Sequence, residues 1–198
     1  MAKRERIGLF GGSFDPIHTG HLILAENAVN ALGLDRVLFM PTAIPPHKPR
    51  GDLAPVEARS EMIALAIAGR PRFELSLIEA ESGVSYTYRS VLRFVDEGYR
   101  RDQIHLLVGS DSLEEMHEWR NPEAIFASAT IVVMARPGHE SLPPLPVEAA
   151  LVWLSERRTP ISSTEVRRLA GEGKPIGHLV PKEVEDYIAR RSLYRGSD

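Results

Sequence analysis

The sequence predicts an α/β protein with a doubly wound, parallel sheet of five or six strands and helices on both faces. Short apolar segments, too brief for helices, alternate with longer segments whose apolar residues recur every three or four positions. This alternation is typical of β-α-β units, in which the strands run parallel because each crossover passes through a helix. Two of the strands also end in glycine and small polar residues directly before a helix, as in Rossmann-like folds.

The first unit begins with a predicted strand at residues 7–10, an apolar run too short for a helix. Gly11 and Gly12 should then break the extended pattern, because residues without Cβ allow positive φ and a close backbone approach. A helical period follows over about 19–32, and a glycine ends it. A second strand is expected over 37–40.

The remaining elements continue the alternation. Further helices are expected over 56–68, about 85–98, after 109, after 162 and after 181, and further strands over 73–77, 104–108, 131–135 and 151–154. In the second helix, Glu57, Arg59 and Glu61 should point outward. In the third, Tyr88, Val91, Leu92 and Val95 should form an apolar stripe. After residue 109, Ser112 and Glu115 have the spacing of a capping box.

The length and composition indicate one domain. The 198 residues are 43% hydrophobic and 26% charged, which describes an ordinary globular chain with a sizeable core. No internal repeat appears, and two proline-rich stretches are typical of loops rather than linkers. We therefore expect a single domain over 1–198, with a C-terminal helical portion at about 160–198 packed on it.

The charge and residue usage exclude several kinds of partner. A net charge of −3 argues against bulk electrostatic attachment to nucleic acid or to an anionic membrane. The absence of cysteine leaves neither a disulfide framework nor a thiolate metal site. No signal-peptide pattern and no long apolar window occur. We expect a cytoplasmic protein with no nucleic-acid or membrane partner, and the sequence leaves a homo-oligomer open.

The junction between the first strand and first helix has the features of an anion site. The helix start should offer unpaired amides and a positive dipole, and Ser13 adds a hydroxyl at the turn. His18 and His21 are three residues apart and therefore share one face of the first turn. Imidazoles beside free amides suit the stabilisation of a phosphorus-centred transition state. Metal ligation is the alternative, although no cysteine or zincin pattern accompanies the pair.

A second helix start near the C-terminus repeats this chemistry. Ser162 and Glu165 form a capping box, which by itself would describe only a well-capped helix. The same turn also exposes Ser163 and Thr164, and Arg167 follows one turn later. We expect both helix starts to converge on one chain of phosphates, so that Ser13 and Ser163 share one cleft.

Three other segments carry candidate ligand contacts. Asp111 follows the strand that ends at Gly109, where it could cap a helix, bind a ribose hydroxyl or organise a metal-bound nucleotide. His47 and Lys48 lie in a proline-rich connection and could bind anions or form a solvated loop. Trp119 could belong to the core or offer a flat platform.

The motifs resemble a known superfamily. The segment from Gly11 to His21, Gly-Gly-Ser-Phe-Asp-Pro-Ile-His-Thr-Gly-His, resembles the signature of nucleotidyltransferases with a His-x-Gly-His motif. The segment from Ile161 to Arg167, Ile-Ser-Ser-Thr-Glu-Val-Arg, resembles their second signature, which holds the triphosphate of ATP. Within the superfamily, the chain resembles the bacterial nicotinate mononucleotide adenylyltransferases nearly end to end.

This resemblance implies adenylyl transfer from ATP to nicotinate mononucleotide in NAD biosynthesis, with Mg²⁺ held mainly by phosphates and water and with no assigned protein ligand. The implied catalytic residues are His18, His21 and Arg167. The implied ATP-binding residues are Gly11, Gly12, Ser13, Phe14, Gly109, Asp111, Ile161, Ser162 and Ser163. The implied mononucleotide-binding residues are Asp15, His47, Lys48, Ser85, Tyr86, Thr87, Trp119 and Arg136.

Several alternatives stay open at this point. The same chemistry could act on phosphopantetheine or nicotinamide mononucleotide, or could transfer a cytidylyl group. A nucleotide-binding regulator without turnover and a metal hydrolase using several of the 7 histidines are alternatives from other classes. A class I aminoacyl-tRNA synthetase has a related motif, but this chain is short and lacks a Lys-Met-Ser-Lys-Ser loop.

Overall fold

The computed structural model describes residues 5–43, 53–80, 85–134, 145, 149–154 and 161–195. Its centre is one parallel sheet of six strands: β1 (Ile7–Gly12), β2 (Arg36–Pro41), β3 (Phe73–Leu75), β4 (Ile104–Gly109), β5 (Thr130–Met134) and β6 (Leu151–Leu154). The strand order is β3-β2-β1-β4-β5-β6, so the direction of winding reverses between β1 and β4. The predicted fold class is confirmed.

In the part of the chain that the structure describes, seven helices connect and flank the strands. They are α1 (Thr19–Leu32), α2 (Val56–Ile67), α3 (Thr87–Asp96), α4 (Ser110–Glu115), α5 (Pro122–Ser128), α6 (Ser163–Gly171) and α7 (Lys182–Arg191), with single 3₁₀ turns at Arg101–Gln103 and Met116–Glu118. The sequence reasoning missed α5, a short helix that has proline in its first turn. The longest described helix, α1, has 14 residues, and no helix in the described ranges could cross a bilayer.

Two hydrophobic cores lie on opposite faces of the sheet, because successive strand residues point to opposite sides. On β1, Phe10 packs with the buried faces of α1, α2, α6 and α7. Its neighbour Leu9 packs with α3, α4 and α5. The helices therefore cover both faces, as predicted, and the strand ends are left to build a site.

The glycine pair behaves differently from the expectation. Gly11 and Gly12 stay in β1, where they pair with Met40 and Pro41 of β2. The positive φ falls instead on Phe14, at 45°. The prediction of a break at the glycines is wrong, because the neighbouring strand extends far enough to keep them paired.

Two smaller expectations are also wrong, and a third is wrong in part. Arg59 points inward and is 1% exposed. The helix α4 begins at Ser110 with Gly109 at its N-cap, so Ser112 lies inside the helix and cannot cap it. On α3 the predicted stripe is confirmed for Val91, which is buried, and for Tyr88, which packs against the core, but Val95 is exposed.

Candidate active site

A cavity of about 400 Å³ opens where the winding of the sheet reverses, at the carboxyl ends of β1 and β4. Open α/β sheets bind ligands at this position because the flanking crossovers leave in opposite directions. The starts of α1, α4 and α6 contribute to its walls, and so do Ser85, Tyr86 and Thr87. Ser13 and Ser163 both line it, which confirms the predicted convergence of the two signature segments.

The turn after β1 is fixed by an aromatic cluster. Phe14 is 2% exposed, and its ring lies 5.3 Å from that of Phe10 and 5.0 Å from that of His21. A Cβ on Gly12 would come within 3.3 Å of the Phe14 ring. A larger residue at position 12 would therefore crowd this ring, and glycine leaves room beside it.

The two histidines form a stacked, buried pair. The rings of His18 and His21 lie 3.7 Å apart with an interplanar angle of 25°, and the residues are 3% and 9% exposed. The backbone N–H of His18 donates to Nδ1 of His21 at 3.2 Å. Because Nδ1 accepts this bond, the ring proton of His21 lies on Nε2. His21 can therefore donate a hydrogen bond to a ligand.

The backbone amides at this helix start are largely occupied. Besides the His18 amide, Thr19 donates to the carbonyl of Leu179 at 2.8 Å, and the His21 amide lies 2.9 Å from the carbonyl of His18. The expectation of unpaired amides is wrong at these three positions. An anion at the start of α1 would meet imidazole groups and the helix dipole more than backbone amides.

The start of α6 is attached directly to the turn after β1. Ser162 caps the helix by accepting from the amide of Glu165 at 3.2 Å, which confirms its predicted role as a cap. Ser163 Oγ donates to the carbonyl of Pro16 at 2.9 Å. Arg167 Nη1 donates to the carbonyl of Asp15 at 2.8 Å. These contacts hold the two signature segments together across 147 and 152 positions of sequence.

The cavity lining also contains a buried carboxyl group, beside the end of β1, that the sequence reasoning missed. Glu79 is 1% exposed, accepts from Ser90 Oγ at 3.0 Å, and burial raises its pKa to about 7. Ser85 Oγ donates to the carbonyl of Glu79 at 2.8 Å and accepts from the amide of Ala43 at 2.9 Å. This anchors Ser85, so that Tyr86 begins the next helix at the edge of the cavity.

Most of the predicted contact residues are brought together. Those that line the cavity are Gly11, Gly12, Ser13, Phe14, His18, His21, Ser85, Tyr86, Thr87, Gly109, Asp111, Trp119, Ser162, Ser163 and Arg167. Ile161 packs against the core, and the carboxylate of Asp15 is fully buried outside the lining. His47, Lys48 and Arg136 lie outside the described residues. The ligand contacts of all these residues stay predictions.

Thr164, which the sequence places in the exposed first turn of α6, also lines the cavity. Thr42, Glu79 and Arg120 line it as well and had no local sequence signal, and several apolar residues complete the lining. Among the described ranges, no group of three or more histidine, aspartate or glutamate side chains could hold a metal ion. The cavity lining thus combines cationic, hydroxyl, imidazole, aromatic and carboxyl groups.

The fold and the cavity are those of an α/β nucleotide-binding protein whose cavity lies at the sheet's reversal point. The model of the cytidylyltransferase-like family matches residues 9–169. A relative from Thermus thermophilus, named probable nicotinate-nucleotide adenylyltransferase, is 45% identical over 192 residues that cover 96% of this chain and 100% of the relative. A relative of the same name from Pelobacter propionicus is 39% identical over 212 residues, covering 96% of this chain and 98% of that protein.

The chain belongs to the nicotinate-nucleotide adenylyltransferase family, within the cytidylyltransferase-like proteins. The solved structure of Plasmodium falciparum nicotinic acid mononucleotide adenylyltransferase complexed with NaAD has the same fold. It matches with a TM-score of 0.77 at 19% identity, covering 96% of this chain and 98% of that one.

Proposed function

We propose that this protein transfers the adenylyl group of ATP to nicotinate mononucleotide. A phosphate oxygen of the mononucleotide forms a bond to the α-phosphorus of ATP. The bond from that phosphorus to the oxygen bridging to the β-phosphorus breaks, and pyrophosphate leaves with the electron pair. The products are nicotinate adenine dinucleotide and pyrophosphate.

One observation carries this proposal: two helix starts from opposite ends of the chain, one with stacked imidazoles and the other with an arginine, line one cavity. The attacking phosphate is already an anion at neutral pH, so no general base is needed. Catalysis then consists of aligning two polyanions and stabilising the charge of the transition state.

The geometry of each helix start suits a different part of ATP. His21 presents its Nε2 proton from a buried, stacked ring, and we assign it to the oxygens of the α-phosphoryl group. His18, Gly12 and Ser13 lie beside it along the same wall. Arg167 and Ser163 stand at the start of α6, and we assign them to the leaving pyrophosphate.

A second group of lining residues, Trp119 and residues 85–87, suits a pyridine ring that carries a carboxylate. The indole of Trp119 offers a face on which an electron-poor ring can stack. The segment Ser85-Tyr86-Thr87 opens α3, so its backbone amides can meet a carboxylate there. These two features favour nicotinate mononucleotide over phosphopantetheine as the acceptor.

We propose Mg²⁺ as the cofactor, arriving with ATP and held by phosphate oxygens and water. It would screen the repulsion between the two polyanions. Mg²⁺ commonly keeps several waters and few protein ligands, so the phosphate oxygens of the substrates can hold most of it. Asp111, which lines the cavity, is assigned to a ribose hydroxyl of the nucleotide.

A pyrophosphate-release assay with ATP, Mg²⁺ and either nicotinate or nicotinamide mononucleotide tests the proposal. We expect faster release with the acid and a product whose mass is that of nicotinate adenine dinucleotide. Release that occurs only with phosphopantetheine, or only with CTP, would move the protein to another branch of the family. Binding of ATP without any release would favour a nucleotide-sensing protein.

A further inference from the structure

The carboxylate of Asp15 is the hub of a buried network behind the cavity. Its side chain is fully buried, and Oδ1 accepts from the amide of Ala54 at 3.2 Å and from the hydroxyl of Tyr194 at 2.8 Å. The second oxygen, Oδ2, lies 3.8 Å from Nη1 of Arg167. A buried carboxylate is costly unless it is hydrogen-bonded and paired, so these partners are what permit its burial.

Tyr194 is a permanent donor in this network. Burial and the adjacent Asp15 carboxylate raise the pKa of its phenol, so the hydroxyl keeps its proton throughout the physiological range. The backbone of Tyr194 packs closely against Gly171, because a Cβ on Gly171 would come within 2.9 Å of the Tyr194 carbonyl oxygen. The glycine at the end of α6 therefore allows the C-terminal segment to reach Asp15 across 179 positions.

Arg59 places a second positive charge near Asp15, but its nitrogens donate to backbone carbonyls and not to the carboxylate. Nη1 donates to the carbonyl of Ser13 at 2.7 Å, Nη2 to that of Ala43 at 3.2 Å and Nε to that of Ala54 at 2.9 Å. Arg59 thereby ties the turn after β1 to the residues on either side of 44–52. It lowers the electrostatic cost of Asp15 without replacing the donors that contact the carboxylate.

Arg167 is shared between this network and the cavity. Nη1 faces Asp15, while Nη2 reaches Thr164 Oγ1 at 3.4 Å, and 31% of the side chain is exposed. Loss of the Tyr194 hydroxyl would leave Oδ1 of Asp15 with one donor fewer. The carboxylate would then attract the guanidinium more strongly and draw it away from a bound anion.

We propose that Tyr194 is a positioning residue that, through Asp15, keeps Arg167 directed at the triphosphate of ATP. The C-terminal segment is then a part of the nucleotide site although it touches no substrate. This inference rests on the proposed function, since it assigns Tyr194 a task in the binding of ATP.

The test compares Tyr194→Phe with a control, Tyr187→Phe. The control also removes a phenol hydroxyl, but from a buried tyrosine of α7 that lies outside the cavity. We expect Tyr194→Phe to raise the KM for ATP about tenfold, the usual size of a lost hydrogen bond to a charged group. The KM for nicotinate mononucleotide should change less than twofold. Tyr187→Phe should leave both values near those of the wild type.

A double variant separates positioning from general destabilisation. In an Asp15→Asn background the carboxylate charge is gone, so adding Tyr194→Phe should change the KM for ATP by less than twofold. Equal effects on both substrates, an unchanged KM for ATP, or full additivity with Asp15→Asn would overturn the inference.

Titration of the wild type and both tyrosine variants with ATP measures the Kd for ATP without requiring turnover. If the wild type releases no pyrophosphate with nicotinate mononucleotide, the proposed function fails. A Kd for ATP that still weakens about tenfold in Tyr194→Phe, and not in Tyr187→Phe, would uphold the positioning role. An unchanged Kd would reject it.

Discussion

The starts of α1 and α6 are both predicted anion sites, yet they present different groups to the same cavity. At α1, the amides of His18, Thr19 and His21 donate to protein acceptors. The groups that line the cavity there are two stacked imidazoles. At α6, the cap occupies the amide of Glu165, whereas the amides of Ser163 and Thr164 have no acceptor among the described residues.

The two helix starts, both predicted to bind anions, therefore suit two different functions. A buried imidazole fixed by neighbouring rings is preorganised, so it suits a group that acts only in the transition state. A half-exposed arginine with amides beside it suits the binding of a charged group that is present throughout. The first start should therefore govern turnover and the second should govern affinity for ATP.

The largest expected effect is on turnover. His21→Ala should lower kcat by about 10²–10³, because one preorganised donor to the transition state is lost. The exposed His117, outside the cavity, provides the control: His117→Ala should keep the wild-type kcat. Steady-state kinetics and circular dichroism on both variants check this, and a His21→Ala protein that keeps most of its kcat would remove His21 from catalysis.

Ionisation of Glu79, which lies beside the end of β1, should change the stability of the protein with pH by a comparable free energy. The carboxylate oxygens of Glu79 would lie 4.0 Å from a Cβ on Gly11. Burial raises the pKa of Glu79 from 4.5 to about 7, so the native state binds more protons than the unfolded state between those values. Stability should therefore fall as the pH rises from about 4.5 to about 7.

Glu79→Gln removes this proton-linked loss. Relative to the wild type, the variant should gain about 3 kcal/mol in unfolding free energy between pH 4.5 and pH 8. Urea unfolding of both proteins at several pH values measures the difference. A difference that does not vary with pH would contradict the burial of an ionisable group beside the first helix start.

The effect at α6 should appear in substrate affinity. Arg167→Ala should raise the KM for ATP by about tenfold or more, since a charge-assisted contact to phosphate is lost. The adjacent Arg168 makes exposed ion pairs with Glu165 and Glu172, so Arg168→Ala is a matched control with little expected change. Unchanged ATP kinetics in Arg167→Ala would dissociate the second helix start from the nucleotide.

The smallest effect concerns the cap. Ser162→Ala should lower stability by about 1 kcal/mol, because the amide of Glu165 loses its acceptor. In a chain of this size that corresponds to a fall in Tm of about 2–4 °C. Thermal unfolding followed by circular dichroism measures it, and a Tm equal to that of the wild type would show that the cap does not stabilise α6.

The periodic features were predictable from sequence, and the features that depend on distant segments were not. Alternating strands and helices implied a parallel sheet, and glycine-ended strands indicated where its site lies. Arg59 was placed outward by helical periodicity, but carbonyl groups from Ser13, Ala43 and Ala54 draw it inward. No local pattern could reveal that those three segments meet.

Asp15 and Tyr194 illustrate the same limit within the candidate site. The contact of Asp15 with the mononucleotide stays a prediction. No local pattern could reveal that its carboxylate is buried against Tyr194, which lies 179 positions away. The short helix α5 was missed because seven residues give too little periodicity to recognise. The predictions for His47, Lys48 and Arg136 fall outside the described residues.

The structure of the protein bound to a non-hydrolysable ATP analogue tests the central claim most directly. The account predicts an α-phosphoryl oxygen within about 2.6–3.2 Å of Nε2 of His21, with the terminal phosphates against Arg167 and the first turn of α6. A triphosphate that contacts only one of the two helix starts, or lies outside the cavity, would contradict it.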